Sequence, residues 1–219
     1  MAPMNLDELG IKYGTDKSSR EHNYLCFYEE LFSFWRDEPV TIVEFGCWTG
    51  ASLNMFAEFF PRATVVGVEQ YAEHVKAEHG NIRVVRGDVM ARRAMGELFQ
   101  EHPPTIIIDD ASHKWSDQIH AFEWYFPHLL PGGWYICEDT HTSFGDDLAR
   151  AFGDQDLDAA SYFAILALAL CGMRGTKPVP HKLPYGEGHL RLAKFVDRVV
   201  FRNHCIAIKK REQVGRRAK

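Results

Sequence analysis

Thr41-Ile42-Val43-Glu44-Phe45-Gly46-Cys47-Trp48-Thr49-Gly50-Ala51-Ser52 runs from a β-branched, apolar strand through two glycines into a helical pattern. Glycine at such a turn reaches positive φ at no steric cost and lets backbone approach a ligand closely. The helix that follows starts with N–H groups that have no partner in the helix itself. A dinucleotide fingerprint needs G-x-G-x-x-G. Here Trp48 stands in place of the second glycine and Ala51 in place of the third, so the loop is wrong for a pyrophosphate. Its spacing is G-x-x-x-G, preceded by Glu44.

Outward from this loop, short β-branched runs alternate with helical stretches. Strands are expected at 41–45, 64–69, 82–87, 105–109 and 133–137, and helices at 51–60, 72–78, 90–101 and 116–130. This βαβα alternation predicts a parallel sheet covered on both faces. Ile106-Ile107-Ile108 is apolar without alternation, as a central strand buried on both sides should be. A helix is expected at 24–36, where Leu25, Tyr28, Leu31 and Phe32 have helical spacing. After a helix at 157–171 and a Gly/Pro-rich loop at 172–188, strands at 198–201 and 205–209 flank Arg202-Asn203-His204 as a hairpin. The expected architecture is an α/β, Rossmann-like, doubly wound seven-stranded sheet with a C-terminal antiparallel hairpin. Residues 1–40 form a leader with a helix, and 41–219 form the domain proper, one domain overall.

Composition narrows the function. The chain is 219 residues, 46% hydrophobic and 25% charged, as folded globular proteins are. Its net charge is −5, with six basic side chains in the last eleven residues, so the remainder carries about −10. Phosphate contacts need clustered cations, which speaks against a nucleic-acid partner. Residues 162–171 form the longest apolar run, too short for a bilayer, which needs about 20 residues. Residues 1–10 have no basic start followed by an apolar core, so no signal peptide is expected. The five cysteines are scattered without a C-x-x-C, which fits a reducing cytoplasm. The C-terminal basic stretch is expected to be a solvated end.

The G-x-x-x-G loop with its Glu44 resembles the S-adenosylmethionine loop of class I methyltransferases, which implies that Glu44, Gly46, Trp48 and Gly50 bind that cofactor. The second strand ends at Glu69, where an acid can accept both ribose hydroxyl protons. The third runs into Gly87-Asp88, where Asp88 can accept from the adenine amino group. Asp109, at the end of the fourth strand, completes the cofactor set.

A second constellation lies at the ends of the fourth and fifth strands, Asp109-Asp110-Ala111-Ser112-His113 and Glu138-Asp139-Thr140-His141. Open α/β sheets bind ligands at the carboxyl ends of their strands. So many carboxylates in one place call for a cation, and hard oxygen ligands select magnesium, calcium or manganese. Histidine suits the role of a base that titrates near neutrality.

With the leader Tyr13-Gly14-Thr15-Asp16-Lys17, His22 and Tyr24, and with E-F-G-C-W-T-G-A-S, I-I-I-D-D-A-S-H and E-D-T, the chain resembles the magnesium-dependent sugar O-methyltransferases of antibiotic biosynthesis, the mycinamicin-type macrolide and rhamnosyl enzymes with their cephalosporin-hydroxylase-like relatives. The resemblance covers about residues 10–139. It implies a metal ion on Asp110, Glu138 and Asp139 and a general base at His113, with Asp110 at the reaction centre and His141 in reserve. It also implies that Asp16, Lys17 and His22 fold over the cofactor. The macrolide enzymes carry a further N-terminal domain; with a first strand expected at residue 41, none is expected ahead of it here. The implied acceptor is a hydroxyl of a sugar or glycosylated natural product, and a homo-oligomer is possible. A catechol-type O-methyltransferase and a non-catalytic S-adenosylmethionine-binding protein are the alternatives. Trp48 and Trp115 flank the expected site, and the loops 140–152 and 172–188 are expected to form a flexible rim over the substrate.

Overall fold

A computed structural model describes residues 3–174, 177–178 and 186–212. The chain divides into two compact units, Met1–Ala111 and Ser112–Lys219. The first begins with helix α1 (Leu6–Tyr13), fixed by a capping box in which Asn5 and Glu8 satisfy each other's backbone N–H, and closed by Gly14 at φ 72°. Helix α2 (Leu25–Phe32) follows. Then come β1 (Thr41–Phe45), α3 (Ala51–Phe59), β2 (Thr64–Glu69), β3 (Ile82–Arg86), α4 (Arg92–Glu101) and β4 (Ile106–Asp109).

These four strands are parallel. β1 lies between β2 and β4 with Phe45 level with both Val68 and Asp109, and β3 pairs on the far side of β2 with Glu69 level with Arg86. Ile42, Val43, Phe45 and Ile106 through Ile108 are wholly buried, so β1 and β4 are covered on both faces. The register brings the ends of β1 and β4 to the same level, which sets Glu44 and Asp110 near one another.

The second unit contains α5 (Trp115–Tyr125), β5 (Trp134–Cys137), α6 (Asp146–Phe152), α7 (Ala159–Cys171), a minimal antiparallel pair β6 (Met173–Arg174) and β7 (Lys177–Pro178), α8 (Glu187–Ala193), β8 (Val196–Arg202) and β9 (Cys205–Lys210). β9 pairs antiparallel with both β5 and β8. The expected fold class is met: the main sheet has seven strands in the order β3-β2-β1-β4-β5-β9-β8 and ends in an antiparallel hairpin. Among the described residues no helix is long and apolar enough to cross a membrane.

Several expected elements differ. Residues 72–78 are not an α-helix; only a 3-10 turn forms, at Ala72–His74. Tertiary hydrogen bonds take the backbone beyond it: Lys76 N–H donates to the Thr49 carbonyl (2.9 Å), the Asn54 amide donates to the Lys76 carbonyl (2.7 Å), and Glu78 N–H donates to Asn54 Oδ1 (2.8 Å). The expected 116–130 helix ends at Tyr125 and tightens into a 3-10 turn at Phe126–His128, where Pro127 offers no N–H. The 24–36 helix likewise ends in a 3-10 turn, Ser33–Trp35. The expected loop 140–152 contains a 3-10 turn, Thr140–Ser143, and α6. Most of the loop expected at 172–188, and the basic end beyond residue 212, fall outside the described residues.

Candidate functional site

In the first unit the site is built on the turn from β1 to α3. Gly46 (φ 71°) and Gly50 (φ 86°) both need positive φ. A Cβ on Gly46 would collide with the Asp110 carbonyl oxygen, and one on Gly50 would meet the Lys76 carbonyl oxygen at 2.9 Å. Both glycines are therefore dictated by close backbone approach as well as by φ. Between them Trp48 is held at φ 41°, a rare conformation for a bulky residue, with its side chain 76% exposed.

Glu44 is wholly buried under this turn. Its Oε2 accepts from the Ser52 hydroxyl (2.6 Å), and its Oε1 lies 3.5 Å from the ammonium of Lys17, which also donates to Asp110 Oδ2. Burial pushes the Glu44 carboxyl up to about 7, against the opposing pull of Lys17 and Ser52. Burial, with Glu44 and Glu69 nearby, raises the Cys47 thiol as well, so that thiol is an inert packing group.

Glu69 accepts two backbone N–H groups, Trp48 on Oε2 (3.0 Å) and Tyr71 on Oε1 (3.1 Å). An ionised carboxylate has about four acceptor sites, so these bonds fix its orientation and leave capacity for a diol. With Trp48, Tyr71 and His74 it lines a cavity of about 330 Å³. Asp88 is exposed and caps its own turn by accepting from Met90 N–H (2.8 Å). Asp109 is buried at the end of β4.

In the second unit His113, Asp139 and His141 come together. His113 Nε2 lies 3.6 Å from Asp139 Oδ2, and His141 Nδ1 lies 3.8 Å from Asp139 Oδ1. Both His113 (φ 57°) and Asp139 (φ 53°) are held in the left-handed region. For non-glycine residues that conformation persists only where the surroundings over-determine it. Thr142 supplies the constraint. Its hydroxyl donates to the His113 carbonyl (3.2 Å), its N–H donates to the Asp139 carbonyl (3.1 Å), and its own carbonyl accepts from the Trp115 indole (3.0 Å). One buried threonine thus ties both strained residues to α5.

The His113 ring packs edge-on against Phe152, and its Nδ1 is buried without a hydrogen-bond partner among the described residues. Glu138 is 1% exposed, and its carbonyl accepts from the Gln118 amide (2.9 Å). Trp115 has its indole committed to Thr142, which makes it a brace for the loop. Sequence reasoning left Thr142 unnoticed, because a lone threonine after a strand carries no pattern. Ser52 was inside a quoted motif without a role; its spacing of eight from Glu44 across the turn was the available signal.

Residues 43–140 match a family model described as a methyltransferase domain. The 8-demethyl-8-alpha-L-rhamnosyl tetracenomycin-C 2'-O-methyltransferase of Streptomyces olivaceus is 33% identical over 154 residues, 67% of this chain and 40% of that protein. The mycinamicin VI 2''-O-methyltransferase of Micromonospora griseorubida is 30% identical over 148 residues, 64% of this chain and 37% of that protein. The chain therefore spans well under half the length of these relatives. Among solved structures, the MycE methyltransferase of the mycinamycin pathway, in complex with Mg, SAH and mycinamycin VI, superposes with a TM-score of 0.78 at 24% identity, covering 98% of this chain and 57% of that one. That likeness shows the fold, the seven-stranded class I methyltransferase architecture that the resemblance implied and with which the strand alternation agrees.

Proposed function

We propose that this chain, which carries a methyltransferase domain over residues 43–140, moves a methyl group from S-adenosylmethionine to a hydroxyl on the sugar of a glycosylated natural product. The observation that carries the reading is the pairing of His113 with Asp139 by two residues held in strained backbone conformations. The Streptomyces olivaceus relative is named for a rhamnosyl tetracenomycin-C acceptor, which supports the acceptor class. A cytoplasmic setting is supported by five scattered cysteines without a C-x-x-C.

The cofactor rests on the glycine turn. Gly46 and Gly50 allow close approach of backbone, Glu69 takes the ribose hydroxyls, the exposed Trp48 offers a face to the cofactor, and Asp88 and Asp109 complete the set; Glu44, expected to bind the cofactor, is wholly buried and supports the turn from beneath instead. A divalent magnesium ion suits the carboxylates proposed to hold it, Asp110, Glu138 and Asp139. They are hard oxygen donors, and the solved MycE complex contains Mg. When bound, such an ion stabilises a developing alkoxide.

The proton falls to His113. Asp139 Oδ2 stands 3.6 Å from His113 Nε2, longer than a hydrogen bond, and orients the ring that is proposed to take the acceptor's proton.

The test is methyl transfer to a panel of glycosides with magnesium present, after chelation, and with His113→Ala. A general base contributes about 10²- to 10⁴-fold, so the variant loses that much kcat while its affinity for S-adenosylhomocysteine holds. Full activity in His113→Ala removes the base. Full activity after chelation removes the ion. No calorimetric heat with S-adenosylhomocysteine up to millimolar removes the reading as a whole.

A further inference from the structure

Helix α5 starts two residues after His113, and its own sequence does not cap it. The residue at the cap position, Lys114, has the extended backbone of a cap (φ −69°, ψ 140°) but no side-chain bond to the helix. Serine, threonine, aspartate and asparagine cap well, because a short side-chain oxygen accepts an N–H of the first turn. Here that oxygen comes from 38 residues downstream. Asp154 Oδ1 accepts from Ser116 N–H (3.0 Å), and Asp154 Oδ2 accepts from the Ser116 hydroxyl (2.5 Å). We propose that Asp154 is a positioning residue: by capping α5 from a distance, it clasps α6 across His113 and fixes the His113 ring. The proposal rests on the reading of His113 as the base and names the part of the chain that holds it.

Three observations carry it. First, α6 cannot hold itself in place. It has seven residues and buries none of them, and helices of that length are unstable alone in water. Second, the contacts that hold it run in order along two segments. Phe152, the last residue of α6, packs edge-on against the His113 ring with centroids 6.2 Å apart. Gly153 lies so close on the Trp115 indole that a Cβ would stand 2.9 Å from the ring. Asp154 then takes Ser116. Residues 152, 153 and 154 thus meet 113, 115 and 116, and the last of these contacts is a charge-assisted pair of hydrogen bonds.

Third, the Asp154 carboxylate is suited to the task. Desolvation raises its pKa, but the Ser116 hydroxyl and N–H outweigh that and hold it below the ordinary value, with Lys114 in support. Its negative charge meets the positive end of the α5 dipole. Thr142 works on the same stretch from the other side, through the His113 carbonyl (3.2 Å) and the Trp115 indole (3.0 Å). Thr142 thus fixes the backbone of His113, and Asp154 fixes the element that packs on its ring.

Hydrogen exchange on the full chain, read together with kcat and with calorimetric affinity for S-adenosylhomocysteine, tests the clasp. The variants are Asp154→Ala, Asp154→Asn, and Asp154→Ala combined with Lys114→Ser. Asp154→Ala should speed exchange in residues 146–153 by about two- to thirtyfold, the range that loss of a cap carries. It should lower kcat severalfold and leave cofactor affinity unchanged. Asp154→Asn keeps the accepting oxygen and should restore both exchange and kcat. Lys114→Ser supplies a cap within the helix but no tether. The double variant should therefore recover slow exchange in residues 115–125 while 146–153 stay fast and kcat stays low. Asp154 is exposed, and a thermal melt verifies that each variant is folded.

Unchanged exchange at 146–153 in Asp154→Ala overturns the proposal. So does recovery of kcat in the double variant, which would make Asp154 a helix cap and no more. Faster exchange without any fall in kcat overturns it too. If exchange follows the expected pattern but the parent protein methylates no acceptor, the clasp stands and the role of His113 as a base falls.

Discussion

The turn that follows β1 and the turn that follows β5 both end a strand in acidic and strained residues, yet they are built for opposite purposes. At the first, Glu44 is wholly buried and its charge is answered within the protein by Lys17 and Ser52. Nothing in that network needs to change when a ligand arrives; it is scaffold. At the second, Asp139 stays partly exposed between two imidazoles at 3.6 and 3.8 Å, and His113 Nδ1 has no hydrogen-bond partner among the described residues. The first strand end is compensated from within and holds a shape; the second is the one to which the proposed proton transfer is assigned.

The largest effect should come from breaking the compensated side. Lys17→Met leaves Glu44 and Asp110 facing each other without their cation. Removing one partner of a buried ion pair costs about 3–5 kcal/mol, so the melting temperature should fall steeply. Lys17→Met with Glu44→Gln removes the buried charges in balance and should recover most of the loss, since Asp110 keeps some contact with water. If the single variant melts like the parent, the network is not what holds the leader to β1.

Gly46→Ala is next. The alanine must adopt φ 71° and must displace the Asp110 carbonyl, and left-handed strain alone costs about 1–3 kcal/mol. The variant should bind S-adenosylhomocysteine at least tenfold more weakly by calorimetry. Unchanged affinity would separate the glycine turn from cofactor binding.

Much of this was legible in the sequence, and the limits were physical. The bounds of β1 and β2 follow directly from β-branched runs closed by glycine or acid, because those strands are buried and their pattern is undiluted. The G-x-x-x-G spacing located the turn. Residues 72–78 misled because helical spacing is a local signal, and there the backbone answers to Asn54 and Thr49 across the fold. The helix α6 was hidden by the glycine and acids around it. In the candidate site, Asp139 and His113 were visible as residue types at strand ends. Their left-handed backbones and the threonine that enforces them were not, because nothing in the order of residues 139–142 specifies a bond back to His113.

That threonine supplies a smaller test of the contrast between the two turns. Thr142→Val keeps the volume and removes the hydroxyl that holds the His113 carbonyl. A neutral hydrogen bond contributes about 0.5–1.5 kcal/mol. The expected result is a severalfold drop in kcat with affinity for S-adenosylhomocysteine unchanged, because the cofactor is assigned to the first turn. A matching loss of cofactor affinity would mean the two turns do not divide the work in this way.

The smallest effect concerns a histidine of the second unit that is fully satisfied and so should behave as scaffold. His189 is 3% exposed; its Nδ1 accepts from Gly186 N–H (3.1 Å), and its Nε2 lies 3.2 Å from the Tyr162 carbonyl. This pattern requires the neutral ring with its proton on Nε2. Burial holds the pKa below the ordinary value of 6.5, despite the Tyr162 carbonyl and Glu123. Between the lowered value and 6.5 the unfolded chain binds more protons than the folded one, so stability rises with pH across that window. The contribution is complete above 6.5 and is lost as the pH falls below it, when protonation of Nδ1 expels the Gly186 N–H. Amide exchange in α8 should therefore accelerate on acidification below 6.5, and His189→Gln should flatten that response. An α8 whose exchange has the same pH dependence with and without His189 would show that the ring does not anchor that helix.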